Sequence, residues 1–302
     1  MRPTLWEKKS YIGYFGGQNQ CVDLVSALAV GQKSKIWLDG FAGSGTLTIN
    51  RDTSFLEKSI MIEKSRPVFL MHKMIQDNVT YEEYIQRICK LDIDKETYHE
   101  ADCARKNGYE GCNNMDIAVY EYILRTNAYS GIVGNYVERH INYDGRYSSL
   151  MEIHDRYKDC EIINGDSLPY IKKYAQHDEA FLVLDPPFME ETRTSTGQYD
   201  YEYTDLQHES LLNVLKEARA DVVLMGYDKA VKGEGMNLYD KVFRESNGRQ
   251  WYKFYVTKKN MISKIDKGGE RSSKYQAMWI NFYPHMSVIN NFQELDYLYE
   301  LK

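Results

Sequence analysis

The sequence has few of the features that mark secreted, membrane-bound or zinc-binding proteins. It contains five cysteines in 302 residues, and because this number is odd, disulfides cannot pair all of them. The cysteines form no CxxC motif and have no histidines at metal-ligand spacing, so we expect no metal site. No apolar run is long enough to span a bilayer, and residues 1–10 contain no apolar signal core. These absences predict a cytoplasmic protein in a reducing compartment, with no membrane partner.

The sequence also lacks an overall positive charge. Its formal net charge is −6, with 43% hydrophobic and 27% charged residues, which is ordinary for a soluble globular protein. Non-specific nucleic-acid binders tend to be basic, so the total charge argues against that class. Residues 258–274 reverse the local sign and form a predicted polar hairpin with a Gly-Gly turn. This hairpin is either a solvated surface or a phosphate-binding one, and its basic residues are Lys258, Lys259, Lys264, Lys267, Arg271 and Lys274.

The chain is organised around one stretch, in which the apolar run 181–184 stops at Asp185, Pro186, Pro187 and Phe188. A short, branched apolar run bounded by proline predicts a fully buried strand of a parallel sheet. The prolines restrict the backbone after it, so Asp185 is held beyond the strand end, where open α/β sheets bind ligands. A strand that simply ends in a proline turn is the alternative.

A glycine-rich turn follows an earlier predicted strand at 36–38, and its glycines are Gly40, Gly43 and Gly45. No Lys-Ser/Thr pair follows, which excludes a P-loop, and the spacing departs from the dinucleotide fingerprint. A glycine turn directly after a strand usually lets a ligand approach the backbone, although a bare tight turn would use the same residues. A second loop rich in aromatics and glycine covers residues 11–18.

Two further predicted strands end in acids, Glu63 and Asp166. Together with Asp185 and the glycine turn they should share one carboxyl edge of a parallel sheet. Acids and a glycine turn suit a ligand with ribose hydroxyls, an adenine amine and a cationic centre, and they do not suit a phosphate. No serine or histidine nucleophile belongs to the pattern, so hydrolysis by acyl transfer is not supported. The polar stretch 189–203 beside this edge has a length typical of a lid or a substrate clamp.

The order of elements predicts an α/β fold with a mostly parallel, Rossmann-like sheet. Residues 252–258 and 276–283 alternate as antiparallel strands do, which adds an antiparallel C-terminal part. Helical spacing at 81–91 and 115–126 predicts a mainly helical insertion. The predicted division is 1–77 for the first part of the α/β domain, 78–160 for the insertion, and 161–302 for the rest of the α/β domain.

Taken together, these motifs resemble the adenine-specific DNA methylase family of Rossmann-like, S-adenosylmethionine-dependent methyltransferases. Phe41-Ala-Gly-Ser-Gly45 is similar to the family's cofactor loop, and Asp185-Pro-Pro-Phe188 to its catalytic tetrapeptide. Tyr14-Phe-Gly-Gly17 is similar to the N-terminal segment that also touches the cofactor. The cofactor loop precedes the tetrapeptide, as it does in the family.

The resemblance covers most of the chain and departs from the family at two positions. Gln18 stands where the family often has lysine, and Phe188 where it more often has tyrosine. Residues 78–160, where such enzymes carry target recognition, match only in patches. The further similar segments are 125–134, 226–228 and 278–281.

The resemblance implies roles for the matched residues. Gly43 and Gly45 would let the backbone approach S-adenosylmethionine. Glu63 would accept hydrogen bonds from the ribose hydroxyls, and Asp166 would bind the adenine of the cofactor. The whole implied cofactor set is Tyr14, Gly16, Gly17, Gln18, Asp39, Phe41, Gly43, Gly45, Glu63, Asp166 and Asp185.

The resemblance also implies chemistry on an adenine that is flipped out of duplex DNA. The Asp185 carboxylate and the Pro186 carbonyl would accept the two N6 hydrogens, and Phe188 would stack on the base. Pro187 completes the implied catalytic set, and Arg139 would hold phosphates together with the basic hairpin. We expect a monomer and leave a dimer open, and a cognate restriction enzyme is a further partner that the resemblance allows.

Two classes of alternative stay open at this point. Cytosine N4, an RNA adenine and a protein side-chain amide each offer a planar NH2 group that the same tetrapeptide could hold. A catalytically silent nucleic-acid-binding protein on the same fold is the second class.

Overall fold

The strands that the structure describes form one mixed sheet. The computed structural model describes residues 7–139, 143–189, 192, 199–228, 236–259 and 273–302. Within these ranges the strands are β1 (Ile36–Asp39), β2 (Lys58–Glu63), β3 (Cys160–Asn164), β4 (Ala180–Leu184), β5 (Asp221–Gly226), β6 (Tyr252–Lys259), β7 (Ser273–Ile280) and β8 (Tyr299–Glu300). They hydrogen-bond in the order β3-β2-β1-β4-β5-β7-β6-β8.

The order in which the chain adds strands to the sheet reverses between β1 and β4, although these two strands are parallel. β3, β2, β1, β4 and β5 are parallel neighbours in that order, whereas β7, β6 and β8 pair antiparallel. From β1 the chain moves outwards to β2 and β3, then returns to β4 and continues outwards to β5. This is the order of a doubly wound, Rossmann-like sheet. The predicted fold class, with its antiparallel C-terminal strands, is therefore confirmed.

Helices cover both faces of the sheet. Within the described ranges none is long and apolar enough to cross a membrane. Their bounds are α1 (Val22–Gln32), α2 (Thr46–Ile49), α3 (Arg66–Gln76), α4 (Tyr81–Lys90), α5 (Lys95–Lys106), α6 (Asn114–Thr126), α7 (Tyr143–Tyr157), α8 (Leu168–Tyr174), α9 (Asp205–Leu215), α10 (Leu238–Arg244) and α11 (Met286–Ile289).

Alternation along the central strands gives each face its own helical layer. Leu182 and Leu184 of β4 lie in one buried cluster with residues of α8, α9 and α10. Phe181 and Val183 point the other way and lie in a cluster with α1 and α11. Met61 of β2 extends this second face and packs with α3, α4, α6 and α7. The two layers leave the carboxyl edge of the parallel strands as the place where loops can form a site.

Residues 78–160 are mainly helical, and most of their core is shared with the sheet. Ile85 of α4, Ile117 of α6 and Ile153 of α7 belong to the same hydrophobic cluster as Met61. A smaller cluster between α5 and α6 lies apart from it. The insertion thus extends the helical layer on α3, and its role in target recognition stays a prediction.

Two helices of this region, α5 and α7, were not expected from the sequence. Both are rich in charged residues, which obscures the apolar periodicity. The start of α5 is defined instead by a cap, in which the Asp94 side chain accepts a hydrogen bond from the Thr97 N–H at 2.8 Å. Helix formation here depends on capping and on tertiary packing.

The N-terminal loop is held by a close approach to the residues that follow α6. Gly131 has a φ of +73°, and a Cβ there would lie 2.5 Å from the Tyr14 carbonyl carbon and 2.6 Å from the Phe15 nitrogen. No side chain fits at that distance, so glycine at this position sets the path of the N-terminal loop.

We predict that Gly131→Ala destabilises the protein far more than Gly134→Ala. Gly134 also has a positive φ, of +99°, but a Cβ there would meet nothing within 4 Å. Gly134→Ala should therefore cost only backbone strain, about 1–2 kcal/mol. Gly131→Ala should cost a further 1–3 kcal/mol or so, because the backbone of the N-terminal loop must move. Urea unfolding measures both, and equal losses would contradict the close packing.

Candidate active site

The glycine turn after β1 and the Asp185 turn after β4 meet where the strand order reverses. β1 and β4 are direct neighbours, with Asp39 opposite Val183, so both turns begin at the same level of the sheet. The gap at such a reversal is where open α/β sheets bind ligands. Here it contains a cavity of about 630 Å³ that opens to solvent, beside a second of about 410 Å³. Both cavities are lined by Tyr14, Phe41, Gly43, Asp185 and Tyr199.

Most of the predicted cofactor residues line one of these cavities. Glu63 and Asp166 line the larger one. Gly16, Gly17 and Gln18 line the smaller one. Asp39 and Gly45 are absent from the lining of both.

Glu63 supports the glycine turn from the end of β2. Its Oε2 accepts the Gly43 N–H at 2.9 Å, and its Oε1 accepts the Ser65 N–H at 2.7 Å. Burial is the main influence on this carboxyl and raises the pKa of Glu63 to about 7, although the two backbone N–H groups oppose the shift. A carboxylate has about four acceptor positions, so Glu63 can also accept hydrogen bonds from hydroxyls of a ligand.

Asp39 and Gly45 support the glycine turn from the side that faces the protein interior. The Asp39 carboxylate is buried and accepts the Thr48 hydroxyl at 2.8 Å, and burial raises the pKa of Asp39 to about 7. Gly45 has a φ of +69°, and a Cβ there would overlap the Tyr157 hydroxyl. Glycine at position 45 therefore leaves space for the Tyr157 hydroxyl. The resemblance implied that this glycine leaves space for a cofactor.

His72 of α3 supports the same turn. Its Nε2 lies 2.8 Å from the Gly43 carbonyl oxygen, which can only accept, so this nitrogen carries the hydrogen. Its Nδ1 then accepts from the Tyr157 hydroxyl at 3.0 Å. Burial lowers the pKa of His72 to about 4, so the ring is neutral at pH 7, as this arrangement requires. A hydrogen-bonded chain thus runs from α7 to the glycine turn.

A second chain of the same kind holds the Asp185 turn. His208 of α9 places its Nε2 3.1 Å from the Pro187 carbonyl oxygen and its Nδ1 2.7 Å from the Tyr239 hydroxyl of α10. The carbonyl again requires the hydrogen on Nε2. The Asp185 carboxylate itself has a partner across the site, because its Oδ2 accepts from Gln18 Nε2 at 2.5 Å.

The side chain of Phe188 is buried, and its stacking role on a base stays a prediction. Its side chain is 5% exposed, and its ring meets Tyr227 edge to face with centroids 4.6 Å apart. Phe188 and the buried Pro186 are absent from the lining of both cavities, whereas Pro187 lines the larger one. In the part of the chain that the structure describes, no open face of Phe188 is presented to a base.

Residues 199–203 line the larger cavity. Asp200 fixes this segment, because its carboxylate accepts Arg125 Nη2 at 2.7 Å and the Ser65 hydroxyl at 2.9 Å, and also pairs with Arg105. Burial works against this carboxylate, but the two guanidinium groups outweigh it and hold the pKa of Asp200 below its ordinary value. The rest of the predicted clamp, 190–191 and 193–198, lies outside the described residues.

Aromatic contacts join both ends of this segment to the cavity loops. Tyr199 meets Phe15 of the N-terminal loop edge to face, with centroids 5.4 Å apart. Tyr203 meets Phe41 of the glycine turn in the same way at 5.3 Å. The segment therefore contacts the loops on both sides of the cavity.

Arg125 joins the helical layer to the site. It is 3% exposed, and its Nε donates to the fully buried Glu121 at 2.7 Å. Its guanidinium also lies 4.8 Å from the centroid of the Tyr14 ring. A buried charge must keep its partners, so α6, Tyr14 and Asp200 are fixed relative to one another.

Asp166 lies at the rim of the larger cavity. Its Oδ2 is 3.3 Å from Lys64 Nζ, and its Oδ1 accepts the Leu168 N–H at the start of α8 at 2.9 Å. With its side chain 44% exposed, it is available to a ligand that reaches the open end of the cavity.

Three of the predicted DNA-binding lysines lie at the same edge as the cavities. Because β7 runs antiparallel to β5, its first residues lie beyond the carboxyl end of β5. Lys274 at this end of β7 pairs with Lys258 of β6, and Lys259 follows it. The backbone thus brings these three positions together beside the site.

The other predicted DNA-contacting residues are not seen at the site: Arg139 lies elsewhere, and the rest fall outside the described residues. Arg139 uses its Nη2 to donate to the Ala128 carbonyl at 3.4 Å, in the loop after α6. The positions outside the described residues are Lys264, Lys267 and Arg271.

The sequence patterns missed the residues that hold the site from behind. They lie on helices, just before α3 or in the polar stretch before α9, where no local motif marks them. Arg125 alone carried a signal, because it begins a segment similar to the family. The missed residues are Ser65, His72, Arg105, Tyr157, Asp200, His208 and Tyr239.

Comparisons with known proteins find likeness only among solved structures. No protein-family model matches the sequence, and no curated protein matches it. Precorrin-8w decarboxylase from Methanobacterium thermoautotrophicum is 10% identical, with 87% of this chain and 90% of that chain covered and a TM-score of 0.36. An rRNA methylase from Streptococcus thermophilus is 9% identical, with 87% and 96% covered and a TM-score of 0.26. The methyltransferase domain of a bacterial Hen1 is 12% identical, with 87% and 99% covered and a TM-score of 0.31. Since these TM-scores are below 0.5, we argue function from the residues of the site.

Proposed function

We propose that this protein is an S-adenosylmethionine-dependent methyltransferase that modifies N6 of adenine in duplex DNA. One observation carries the proposal: Asp185 of the Asp-Pro-Pro-Phe turn and Glu63 behind the glycine turn line a single cavity at the reversal of the sheet. The resemblance to the DNA adenine methylases supports the choice of adenine, through the order of the two motifs and the N-terminal Tyr-Phe-Gly-Gly segment.

The cavity suits this cofactor in its chemistry. Five acids among the described residues line it, of which Asp200 is paired with two arginines. Three of the others, Glu63, Asp166 and Asp185, can accept hydrogen bonds from hydroxyl and amine groups and stabilise a cation. When bound, S-adenosylmethionine supplies a methyl group on a positively charged sulfur. Glu63 would hold the ribose and Asp166 the adenine, with the Gly43 backbone alongside.

The chain's own contribution to the reaction is to orient and polarise an amine. The lone pair of an aromatic NH2 group is delocalised into its ring and is a weak nucleophile. A hydrogen bond from that group to the Asp185 carboxylate would favour a pyramidal nitrogen whose lone pair is free. The resemblance adds the Pro186 carbonyl as a second acceptor, although Pro186 lines neither cavity in this structure. This is positioning with electrostatic stabilisation, and it requires no covalent bond to the enzyme.

The position of three predicted DNA-binding lysines favours nucleic acid as the substrate. Lys258, Lys259 and Lys274 lie at the cavity edge of the sheet, where phosphates of a bound strand could be neutralised. The assay that follows distinguishes adenine in DNA from the alternative substrates, which are cytosine N4, RNA adenine and a protein amide. It also tests whether the protein binds nucleic acid without catalytic activity.

The deciding assay is transfer of a labelled methyl group from S-adenosylmethionine to duplex DNA, RNA and protein in parallel, with digestion of the nucleic acids to nucleosides. Label in N6-methyladenine from DNA is the expected result. Label in another product would keep the cofactor and change the substrate. Binding of the cofactor with no label in any product would contradict an enzymatic role on these substrates.

We predict that Asp185→Ala lowers methyl transfer by at least about a hundredfold, because the amine loses its main acceptor. The side chain is a surface of the cavity and is not part of the core, so the fold and most cofactor affinity should persist. Turnover assays measure the first effect, and thermal unfolding and calorimetry the second. Normal turnover by this variant would refute the proposed role of Asp185.

We predict that S-adenosylmethionine binds more tightly as the pH rises through 7. Burial raises the pKa of Glu63 to about 7, so the carboxyl is neutral below that pH and becomes a carboxylate acceptor for the ribose hydroxyls above it. From pH 6 to pH 8 the Kd should fall about tenfold, as expected for one ionisation. Glu63→Gln should remove this change. Asp39→Asn should keep it, because Asp39 lines neither cavity.

We predict that replacing Lys258, Lys259 and Lys274 together by glutamine weakens binding to duplex DNA and reduces its salt dependence. The slope of log K against log salt should fall by about 0.9 for each phosphate that the variant no longer neutralises. Filter binding or anisotropy at several salt concentrations measures the slope. The matched control replaces Lys33, Lys35 and Lys58 by glutamine. Lys33 and Lys35 come just before β1, and Lys58 is the first residue of β2, at the opposite edge of the sheet. Equal effects from both triple variants would contradict the assignment.

A further inference from the structure

Gln18 is a polar residue that is buried on a loop, where it belongs neither to the hydrophobic core nor to the exposed surface. It directly follows the Gly-Gly of the N-terminal loop, and yet its side chain is 3% exposed. Its Nε2 lies 2.5 Å from Oδ2 of Asp185, 167 residues further along the chain. We infer that Gln18 is a positioning residue, which orients the Asp185 carboxylate for methyl transfer; this inference rests on the proposed function.

The backbone around Gln18 is fixed on both sides. The Gln18 carbonyl accepts the Cys21 N–H at 2.9 Å, just before α1, and the Tyr14 carbonyl accepts the Gly17 N–H at 3.1 Å. The amide is therefore presented from a rigid loop. A carboxylate only accepts hydrogen bonds, so the NH2 end of the amide faces Asp185.

A neutral donor suits this task. It fixes the rotation of the Asp185 carboxylate and adds no positive charge of its own, so it does not weaken the carboxylate as an acceptor for the substrate amine. Lysine, which the resembling family often has here, would instead form an ion pair with Asp185. The departure from the family thus changes what this side chain does for the carboxylate.

A cofactor contact is the competing role, because Gln18 also lines the smaller cavity. The two roles differ in kinetics. A side chain that binds the cofactor changes KM for S-adenosylmethionine, whereas one that orients Asp185 changes kcat with little change in KM.

The test is Gln18→Glu, which keeps the size and replaces the donor by an acceptor. Like charges at hydrogen-bond distance favour protonation of the pair. The acid limb of the kcat–pH profile should therefore move up by about one pH unit or more. At pH 7 kcat should fall about tenfold or more, with KM for S-adenosylmethionine within about threefold. The other ionisable groups that influence or face Asp185, namely Asp39, Tyr227 and Tyr239, are unchanged in this variant.

The matched control is Gln20→Glu, which makes the same change at an exposed position two residues along the chain. Its pH profile should match that of the wild type. An unshifted profile in Gln18→Glu, or a change in KM alone, would overturn the inference while leaving the proposed function intact.

A second measurement keeps the inference testable if the wild type transfers no methyl group, a result that would speak against the proposed function. Urea unfolding midpoints at pH 7 are compared for Gln18→Glu, Asp185→Asn and the double variant. Gln18→Glu should lower the midpoint when Asp185 is present and much less when asparagine replaces it. Independent effects would show that the two side chains are not coupled, and the inference would be wrong.

Discussion

The parallel pairing of β1 with β4 is the constraint on which the site depends. It brings two turns that are about 140 residues apart to one level of the sheet, so the glycine turn and Asp185 share a cavity. The acids at the ends of β1 and β2, Asp39 and Glu63, lie in surroundings with little water. Burial raises the pKa of both Asp39 and Glu63 to about 7. The sheet thus fixes the position of the site and also brings Asp39 and Glu63 close to titration at neutral pH.

Arg125 places a buried positive charge beside the acids of this edge, where it pairs with Glu121 and Asp200. It is buried between Glu121, Asp200 and the face of Tyr14, so one guanidinium bonds to the helical layer, to the segment over the cavity and to the N-terminal loop. Removing one partner would leave a charge in surroundings that do not solvate it. The helices of 78–160 are therefore part of the site's support, whatever they recognise outside it.

Much of the sheet could be predicted from the sequence, because buried strands are short apolar runs with sharp ends. The runs before Glu63 and Asp185 gave both the strand and the position of the acid at its end. Local spacing could not tell which side of a turn a residue faces. Gly45 has the glycine that a cofactor loop needs, and yet it admits Tyr157. Nor could it find His72 or His208, whose partners lie in distant parts of the chain and become neighbours only after folding.

The two tyrosine–histidine chains begin in different layers of the protein. Tyr157 belongs to the layer on the Met61 face of the sheet, and Tyr239 to the layer on the Leu184 face. Each chain ends on a carbonyl of one site loop, at Gly43 or at Pro187. The gap between these loops is therefore sensitive to the thickness of the whole three-layer sandwich. A substitution that repacks the core of either layer, or an applied pressure, would therefore change the distance between the two site loops without touching them directly.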